Sequence, residues 1–579
     1  MRNLYCNVEA LRKQVFAAVA KLAYEGGDYC SRMEKLPYEI IPGEVGTYRE
    51  SIFLERAIVG ERIRLAMGLP LRDVTEENMI SDGVEASAIS EKYYDPPLIN
   101  IIKYACHACP DTHYEVTQAC QGCLAKHCYQ SCPKGAIELE HGRARIDQTK
   151  CIKCGRCKEA CSYQAIIKFL RPCQEACGMN AIGKDQYGRA DIDYDKCVNC
   201  GQCAAVCPTG AITIKKTKGK VWNALFDPTK RVIAQVAPAV RVALGEEFGM
   251  APGENSIYKI YTALHMIGFD LCFDTSVSAD MTIIEETNEL AEILSRNEER
   301  RYPLFTSCCP AWVRYVENKH PQLLPYLSTS KSPMEMFGAV LKEYYKPSDE
   351  ECGLETFNVA IMPCTAKKME AEREEFIRNG KPDIDAVLTT KELASMIREL
   401  GIQFADLEPT APDTPFSIRS GGGVIFGTSG GVTEAALRRL AERTNPALQE
   451  IRYSGVRGLE GIKKFTIEIG GKAVHTAVVS GLGNAEKLIQ LIESGEEHFD
   501  FVEVMACPTG CIGGAGQPES FLEDKKKRSS GLYTADKSAL VKRSDENPVV
   551  TKLYEDGVLK DRARELLHVH YKAPAASQS

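Results

Sequence analysis

Sixteen of the chain's twenty-five cysteines fall between Cys106 and Cys207, and nothing else in the sequence restricts the fold as strongly. Two runs there, Cys151-x2-Cys154-x2-Cys157-x3-Cys161 and Cys197-x2-Cys200-x2-Cys203-x3-Cys207 with Pro208 behind it, share one spacing. Three thiolates on such a loop hold one 4Fe-4S cubane, and the fourth ligates the neighbouring cluster. Half-motifs complete the set: Cys120-x2-Cys123-x4-Cys128-x3-Cys132 and Cys173-x3-Cys177. The repeat extends into the flanks, where CPKGAI, CSYQAI, CGMNAI and CPTGAI each begin at a last cysteine. The natural pairing puts Cys151, Cys154 and Cys157 with Cys132, and Cys120, Cys123 and Cys128 with Cys161. A third set is Cys197, Cys200 and Cys203 with Cys177. Cys173 and Cys207 then need two more ligands. Cys106-x2-Cys109 lies upstream to supply them, with His107 or His127 as alternatives. Four clusters use all sixteen thiols. Zinc ribbons are the rival reading and fit the repeated x2-x2-x3 run less well.

Composition bears on compartment and partners. With 579 residues the chain has room for about three or four domains. Its 44% hydrophobic and 26% charged residues are those of a soluble globular protein. No apolar run approaches a membrane span, and MRNLYCNVEALRKQ carries no secretory pattern, so a cytoplasmic location without membrane binding is expected. A net charge of −8 argues against nucleic acid as a partner. The one basic cluster, Lys525–Lys526–Lys527–Arg528, reads as a solvated surface loop able to help dock an acidic redox partner. In a reducing compartment disulfides are disfavoured, which again assigns the cysteines to metal.

Four regions follow. Residues 1–100 show helical patterns such as VEALRKQVFAAVAKLAY and RESIFLERAIVGERIRLAMGL, separated by the turn signal Pro42-Gly43, and have no readable role. Cys6 and Cys30 there lack metal-ligand spacing and read as free thiols. Residues 101–215 hold the cluster motifs. Residues 216–520 alternate strand and helix patterns, which argues for α/β layers. VIAQVAP, NVAIMP, DAVLTT, AVHTAVVSG and VEVMAC are strand candidates, and MTIIEETNELAEILSR is an amphipathic helix with Glu286 and Glu289 on one face. Residues 521–579 read as a helical cap, in which His568 and His570 are too poorly aligned for a metal site.

Three short loops dominate the 216–520 region: TSCCPAW (306–312), MPCTAKK (362–368) and MACPTGC (505–511), each behind a β-like apolar run. Ligands in α/β folds collect beyond the carboxyl ends of strands, so these loops are expected to converge. Neighbouring Cys308 and Cys309 point apart and do not easily share a metal. One of them, with Cys364, Cys507 and Cys511, makes four ligands for a further cubane, while the other is left for different work. The glycine stretches SGGGVIFGTSGG and GCIGGAGQP match no nucleotide fingerprint and are expected to let the backbone approach a cluster closely.

TSCCPAW, MPCTAKK with Glu370, and EVMACPTGCIGGAGQP closely resemble the three signature motifs of iron-only (FeFe) hydrogenases, over roughly residues 225–520. The ferredoxin-like lead-in at 140–215 also fits. The resemblance implies a fold of tandem bacterial ferredoxin-like cluster domains followed by a two-lobed α/β catalytic domain. It also implies a cubane joined to a di-iron centre carrying CO, CN and dithiolate ligands. Cys309, Cys364, Cys507 and Cys511 match its ligands, with Cys511 bridging to the di-iron part. Cys308 matches the proton-relay cysteine and Lys367 the lysine that hydrogen-bonds a cyanide. Pro238, Met362, Phe426 and Met505 match pocket-lining positions.

Glu286, Glu289 and Ser328 fall at the offsets of the family's onward proton path, a chain that a buried thiol needs to reach solvent. The chain departs from the common pattern in three places. Ala239 stands where many relatives have serine, CCPAW replaces CCPGW, and Ile293 occupies a usual arginine position. A divergent, ferredoxin-linked subgroup is implied. The expected activity is reversible interconversion of protons, electrons and H2, with ferredoxin or a similar small carrier as partner and dependence on di-iron maturation proteins. A low-turnover hydrogen sensor is the alternative.

Overall fold

The computed structural model describes residues 7–87, 97–296, 300–440, 457–469 and 472–572. Amphipathic periodicity near the N-terminus becomes three helices, Asn7–Glu25, Tyr29–Ile40 and Ile52–Ala66. Asp28 and Ser51 accept from the Ser31 and Leu54 amides, satisfying donors that a first helical turn leaves open. Val15, Leu22, Met33, Leu36, Val59 and Ile63 form the shared core. Gly43 takes a left-handed φ of 89° at the turn that Pro42-Gly43 signals. Cys30 is an exposed free thiol; Cys6 lies outside the described residues.

Four antiparallel strand pairs follow: Ile99–Ile101 with Ile212–Ile214, His113–Val116 with Ile166–Phe169, Ile137–Glu140 with Arg143–Ile146, and Ile182–Lys184 with Ala190–Ile192. Strands this short bury little by themselves, and the region is organised around its cysteine loops. Both regular runs pass twice through left-handed backbone, at Lys153 and Gly155 (φ 57° and 81°) and at Asn199 and Gly201 (54° and 75°). Such turns point successive amides inward and favour an anionic guest.

Two four-stranded sheets carry the largest region. Their strands are β1 (Lys230–Val236), β2 (Leu271–Asp274), β3 (Leu304–Phe305), β4 (Glu355–Met362), β5 (Ala386–Thr389), β6 (Ile462–Ile469), β7 (Lys472–Ser480) and β8 (Phe501–Met505). The first sheet runs β2-β1-β4-β5, all parallel. The second runs β3-β8-β7-β6, parallel except for the β6–β7 pair. Continuous apolar runs such as VIAQV and NVAIM are what a sheet covered on both faces requires, and residues 232–236 and 358–362 are all buried. All five strand candidates read from the sequence form strands.

Long helices cover the sheets. Ser276–Arg296 packs against Pro333–Cys352 and Gly431–Leu440. Thr389 and Glu392 form a capping box that starts Thr390–Glu399 directly from the end of β5. Among the described residues no helix is long and apolar enough to cross a membrane.

The C-terminal region departs from expectation twice. Lys525–Arg528 is not a solvated loop but part of the helix Leu522–Ser538. Arg528 is fully buried there, paired with Glu246 and donating to the Ile512 and Pro518 carbonyls. A basic run on a helix presents some positions inward, and a sequence-distant carboxylate pays for this one. The last helix also stops at Leu567. His568 then pairs antiparallel with Ser330, with the Lys331 amide donating to Leu567 and the Val569 amide to Thr329, each at 2.7 Å.

Candidate active site at converging strand ends

The carboxyl ends of β1, β2, β3, β4 and β8 open into one cavity of about 80 Å3. Ala237, Pro238 and Ala239 follow β1, Thr275 follows β2, and Cys308 and Cys309 follow β3; Met362, Cys364 and Lys367 come from the end of β4 and beyond. Met505, Cys507 and Cys511 belong to β8 and its loop, and Phe426 closes one wall. The three expected loops therefore do meet. Every pocket position read from the sequence, Pro238, Met362, Phe426 and Met505, lines the cavity. Thr275 and Met334 line it too and went unread, because neither belongs to a short motif.

Glycines let the loops stack this closely. A Cβ on Gly510 (φ 80°) would lie 2.7 Å from the Ser429 nitrogen, and one on Gly514 would lie 2.3 Å from the Pro363 oxygen. At such distances only glycine fits. Both of these close approaches are between one loop backbone and another.

The five cysteines divide by environment. Cys309 is the N-cap of the helix Pro310–Lys319, and its sulfur accepts the Ala506 amide at 3.4 Å. Cys364 precedes the helix Ala366–Glu370. Burial is the first cause of a raised pKa at all five: Cys364 rises to about 11, and Cys308, Cys309, Cys507 and Cys511 also lie above the ordinary thiol value. Four apolar-walled thiols with no base beside them are poor nucleophiles but good metal ligands, because only a bound cation makes the thiolates favourable. Lys367 supplies the site's ammonium. It donates to the Cys308 carbonyl at 3.2 Å and pairs with Glu370 at 2.6 Å, and its pKa is raised even though burial works against the charge. Sulfur donors, one oriented cation and otherwise apolar walls fit an anionic iron–sulfur group bearing small polar ligands.

A line of acids leads away from Cys308. Glu286 is buried, and burial, with Glu289 nearby, pushes its carboxyl up to about 8. The Ser307 amide and Ser328 hydroxyl face it and offset part of that cost, yet neither carboxyl oxygen is within ordinary hydrogen-bonding distance of a partner. Glu289, one turn along, accepts from the Thr329 amide at 3.0 Å and from the Thr329 hydroxyl. A second buried acid was not legible. Glu335 lies beside Lys367 and Glu370, with both oxygens unpartnered and its pKa raised well above normal by burial first and Glu370 second.

The cysteine-rich region docks directly on this site. A Cβ on Gly201 would meet the Thr365 hydroxyl at 2.4 Å, and that hydroxyl donates to the Asn199 carbonyl at 3.0 Å. Gln202 donates to the Cys507 sulfur at 3.3 Å and the Gly513 carbonyl at 3.2 Å. The predicted ligand sets also come together. Cys132, Cys151, Cys154 and Cys157 line one small cavity, and Cys106, Cys109, Cys173 and Cys207 another that His107 also borders. Cys120, Cys123 and Cys161 all act electrostatically on Cys128, and Cys177 and Cys197 on Cys200.

Residues 230–515 match the family described as the iron only hydrogenase large subunit, C-terminal domain, and residues 522–574 match the iron hydrogenase small subunit. Residues 112–162 match a 4Fe-4S dicluster domain and 190–213 a 4Fe-4S binding domain. Iron hydrogenase 1 of Clostridium pasteurianum is 43% identical over 456 residues, 76% of this chain and 78% of that one. NADP-reducing hydrogenase subunit HndD of Solidesulfovibrio fructosivorans is 41% identical over 455 residues, 76% and 77% of the two chains. A solved structure of a variant of [FeFe]-hydrogenase HydA1 from Chlamydomonas reinhardtii superposes with a TM-score of 0.54 at 38% identity, covering 62% of this chain and 99% of that one. Ferredoxin-like 4Fe-4S domains here precede a catalytic domain whose strand ends gather five cysteines and a lysine, and the chain belongs to the iron-only (FeFe) hydrogenase family.

Proposed function

We propose that this protein reversibly interconverts two protons and two electrons with H2 in the cytoplasm, exchanging electrons with ferredoxin or a similar small carrier. The observation that carries the proposal is the meeting of Cys308, Cys309, Cys364, Lys367, Cys507 and Cys511 in one apolar cavity at the strand ends. In this reading Cys309, Cys364, Cys507 and Cys511 would hold the catalytic cubane, and Cys511 would also help hold a di-iron part with CO, CN and dithiolate ligands. When bound, that group supplies the hydrogen and electron chemistry.

The remaining roles belong to the chain. Lys367, held by Glu370, orients its ammonium toward the cavity and favours negative charge there. Met362, Met505, Phe426 and Pro238 keep water away. Cys308, whose thiol burial keeps protonated, moves protons between the cavity and Glu286. Ser328 and Glu289 carry them onward. Four accessory 4Fe-4S clusters, on the sixteen cysteines from Cys106 to Cys207, lead electrons inward. The set with Cys200 ends nearest the catalytic loops, through Gln202 and Cys507.

The test is anaerobic production with the di-iron maturation proteins, followed by infrared spectroscopy and an H2 assay with reduced ferredoxin. CO and CN bands with ferredoxin-dependent turnover are expected. Absence of those bands refutes the catalytic reading. Bands with only slow turnover favour a hydrogen sensor.

A further inference from the structure

The proton path has to end at water, and the helix that carries it does not take it there. The next position after Glu289 on that helix face is Ile293, which packs against a buried apolar cluster of Leu290, Leu304, Ala436 and Phe501. Another way out opens sideways. The Thr329 hydroxyl, already bonded to Glu289 Oε1, lies 2.7 Å from His568 Nδ1. On the far side of the ring, His568 Nε2 is 3.1 Å from Glu285 Oε2, and Glu285 Oε1 accepts from the Tyr554 hydroxyl at 2.5 Å. The side chains of His568, Glu285 and Glu289 retain 15%, 11% and 18% of their surface, whereas Glu286 retains 1%. The step in exposure falls between Glu286 and Glu289; Glu289 Oε2 is itself buried without a hydrogen-bond partner, and Oε1 faces Thr329, which leads to His568.

We propose that His568 is the proton-exchange group through which Glu289 reaches solvent, with the Thr329 hydroxyl as the link between them. The proposal rests on the reading that Cys308, Glu286 and Glu289 carry protons. For an outward proton, the Glu289 O–H bond breaks as a bond forms to the Thr329 oxygen. The original Thr329 proton moves to His568 Nδ1 in the same step. The imidazolium then loses its Nε2 proton to water at the Glu285 edge, and exchange with water restores the starting tautomer. Inward transfer is the reverse, so neither threonine nor histidine is consumed.

The arrangement is built to hold this geometry. The antiparallel bridge between Ser330 and His568, with its two 2.7 Å amide bonds, fixes the ring beside Thr329. Glu285 fixes the other ring nitrogen, as a carboxylate second partner orients histidine in many sites. The charged and titratable groups facing this ring and its partners are Glu285 and Glu289 on the long helix and Tyr554 on Pro548–Glu555. Arg439, on Gly431–Leu440, acts on Glu285. Two acids and one imidazole, with the Arg439 guanidinium acting on Glu285, form a local proton store at the surface end.

The test uses the full-length matured enzyme and compares His568→Phe, Thr329→Val, Thr329→Ser, Glu289→Ala and Cys308→Ala. Measured quantities are turnover in both directions against pH, the solvent isotope effect, rescue by added imidazole, and the infrared bands of the site. Expected for His568→Phe and Thr329→Val are unchanged bands and turnover about tenfold to a hundredfold lower. The isotope effect should rise, the pH profile should change, and imidazole should partly restore His568→Phe. Thr329→Ser, which keeps the hydroxyl, should stay near the parent. Parent-like turnover and pH profile in both His568→Phe and Thr329→Val overturn the proposal. If one of these two lacks the bands, the other decides. Full activity in Glu289→Ala and Cys308→Ala overturns the relay itself. Their loss alongside an active His568→Phe removes only the exit through His568.

Discussion

Replacing Glu286 with glutamine separates what this carboxyl does for hydrogen turnover from what it costs the fold. Burial raises its pKa from 4.5 to about 8. Below about pH 4.5 the group is protonated in folded and unfolded chains alike, and the shift has no effect on stability. Above that pH the unfolded chain ionises while the folded one does not. Stability therefore falls by roughly 1.4 kcal/mol per pH unit until pH reaches the folded value. At pH 7 the span is about 2.5 units, a cost of roughly 3 kcal/mol, whereas at pH 5 it is under roughly 1 kcal/mol. A neutral amide of the same shape carries no such term. Glu286→Gln should thus be more stable than the parent by an amount that grows from pH 5 to pH 7 and levels off near pH 8, while turnover collapses. Urea unfolding of anaerobic protein lacking the di-iron part reads this without interference from activity. Fluorescence suits the measurement because the chain has two tryptophans, Trp222 and Trp312, both beside the catalytic sheets. A pH-independent difference, or one that shrinks as pH rises, refutes the assignment of Glu286 as a buried neutral acid.

Three further substitutions probe the neighbours. Cys308→Ala should keep the infrared bands of the site but lose most turnover, on the order of 100-fold or more; near-parent turnover would remove Cys308 from proton transfer. Lys367→Met leaves Glu370, 2% exposed, without its cation. Such an unpaired buried charge costs about 3–5 kcal/mol, so lower thermal stability and lost activity are both expected, and an unchanged unfolding midpoint would count against the pair. Gln202→Leu deletes a donor to the Cys507 sulfur. Hydrogen bonds to cluster sulfurs favour the reduced form, so the potential of the catalytic cubane, followed by infrared-monitored titration, should fall; no change would mean this contact does not tune it.

What the sequence disclosed follows from how far apart the cooperating residues lie. Cluster ligands advertise themselves because one loop must present several sulfurs to one cube. Cys197, Cys200 and Cys203 are therefore readable at a glance, and the cysteines of two expected sets, Cys132 with Cys151, Cys154 and Cys157, and Cys106 and Cys109 with Cys173 and Cys207, line common cavities. The parallel strands were equally open, since sheets covered on both faces need unbroken apolar runs. Glu335, Thr275 and Met334 had no such signature. Each sits in an ordinary helical or loop context and gains its place only when another element arrives: Glu335 on Pro333–Cys352 meets Lys367 from beyond β4. The Lys525–Arg528 run misled for the same reason, because the partner that draws Arg528 inward, Glu246, lies 282 residues away.

His568 shows that limit most sharply. Read along a helix, it had no useful neighbour, and the local pattern was in fact helical up to Leu567. Its surroundings arise because the helix stops at Leu567, inside the stretch read as a helical cap, and the chain pairs with the segment after Ser328. Glu289, Thr329 and His568 come from three parts of the chain, and each has an unremarkable local reason to exist: a helix face, a loop hydroxyl, a terminal strand bridge. Local spacing can specify a cluster, whose ligands share a loop. A proton path has to cross from the buried cavity to water, and so it recruits whatever polar groups the packing of separate elements leaves in line. The proposed electron side is therefore written in the motifs, and the proposed relay of Cys308, Glu286, Ser328 and Glu289 was readable through the family resemblance, while the proposed exit at His568 emerges only from the fold.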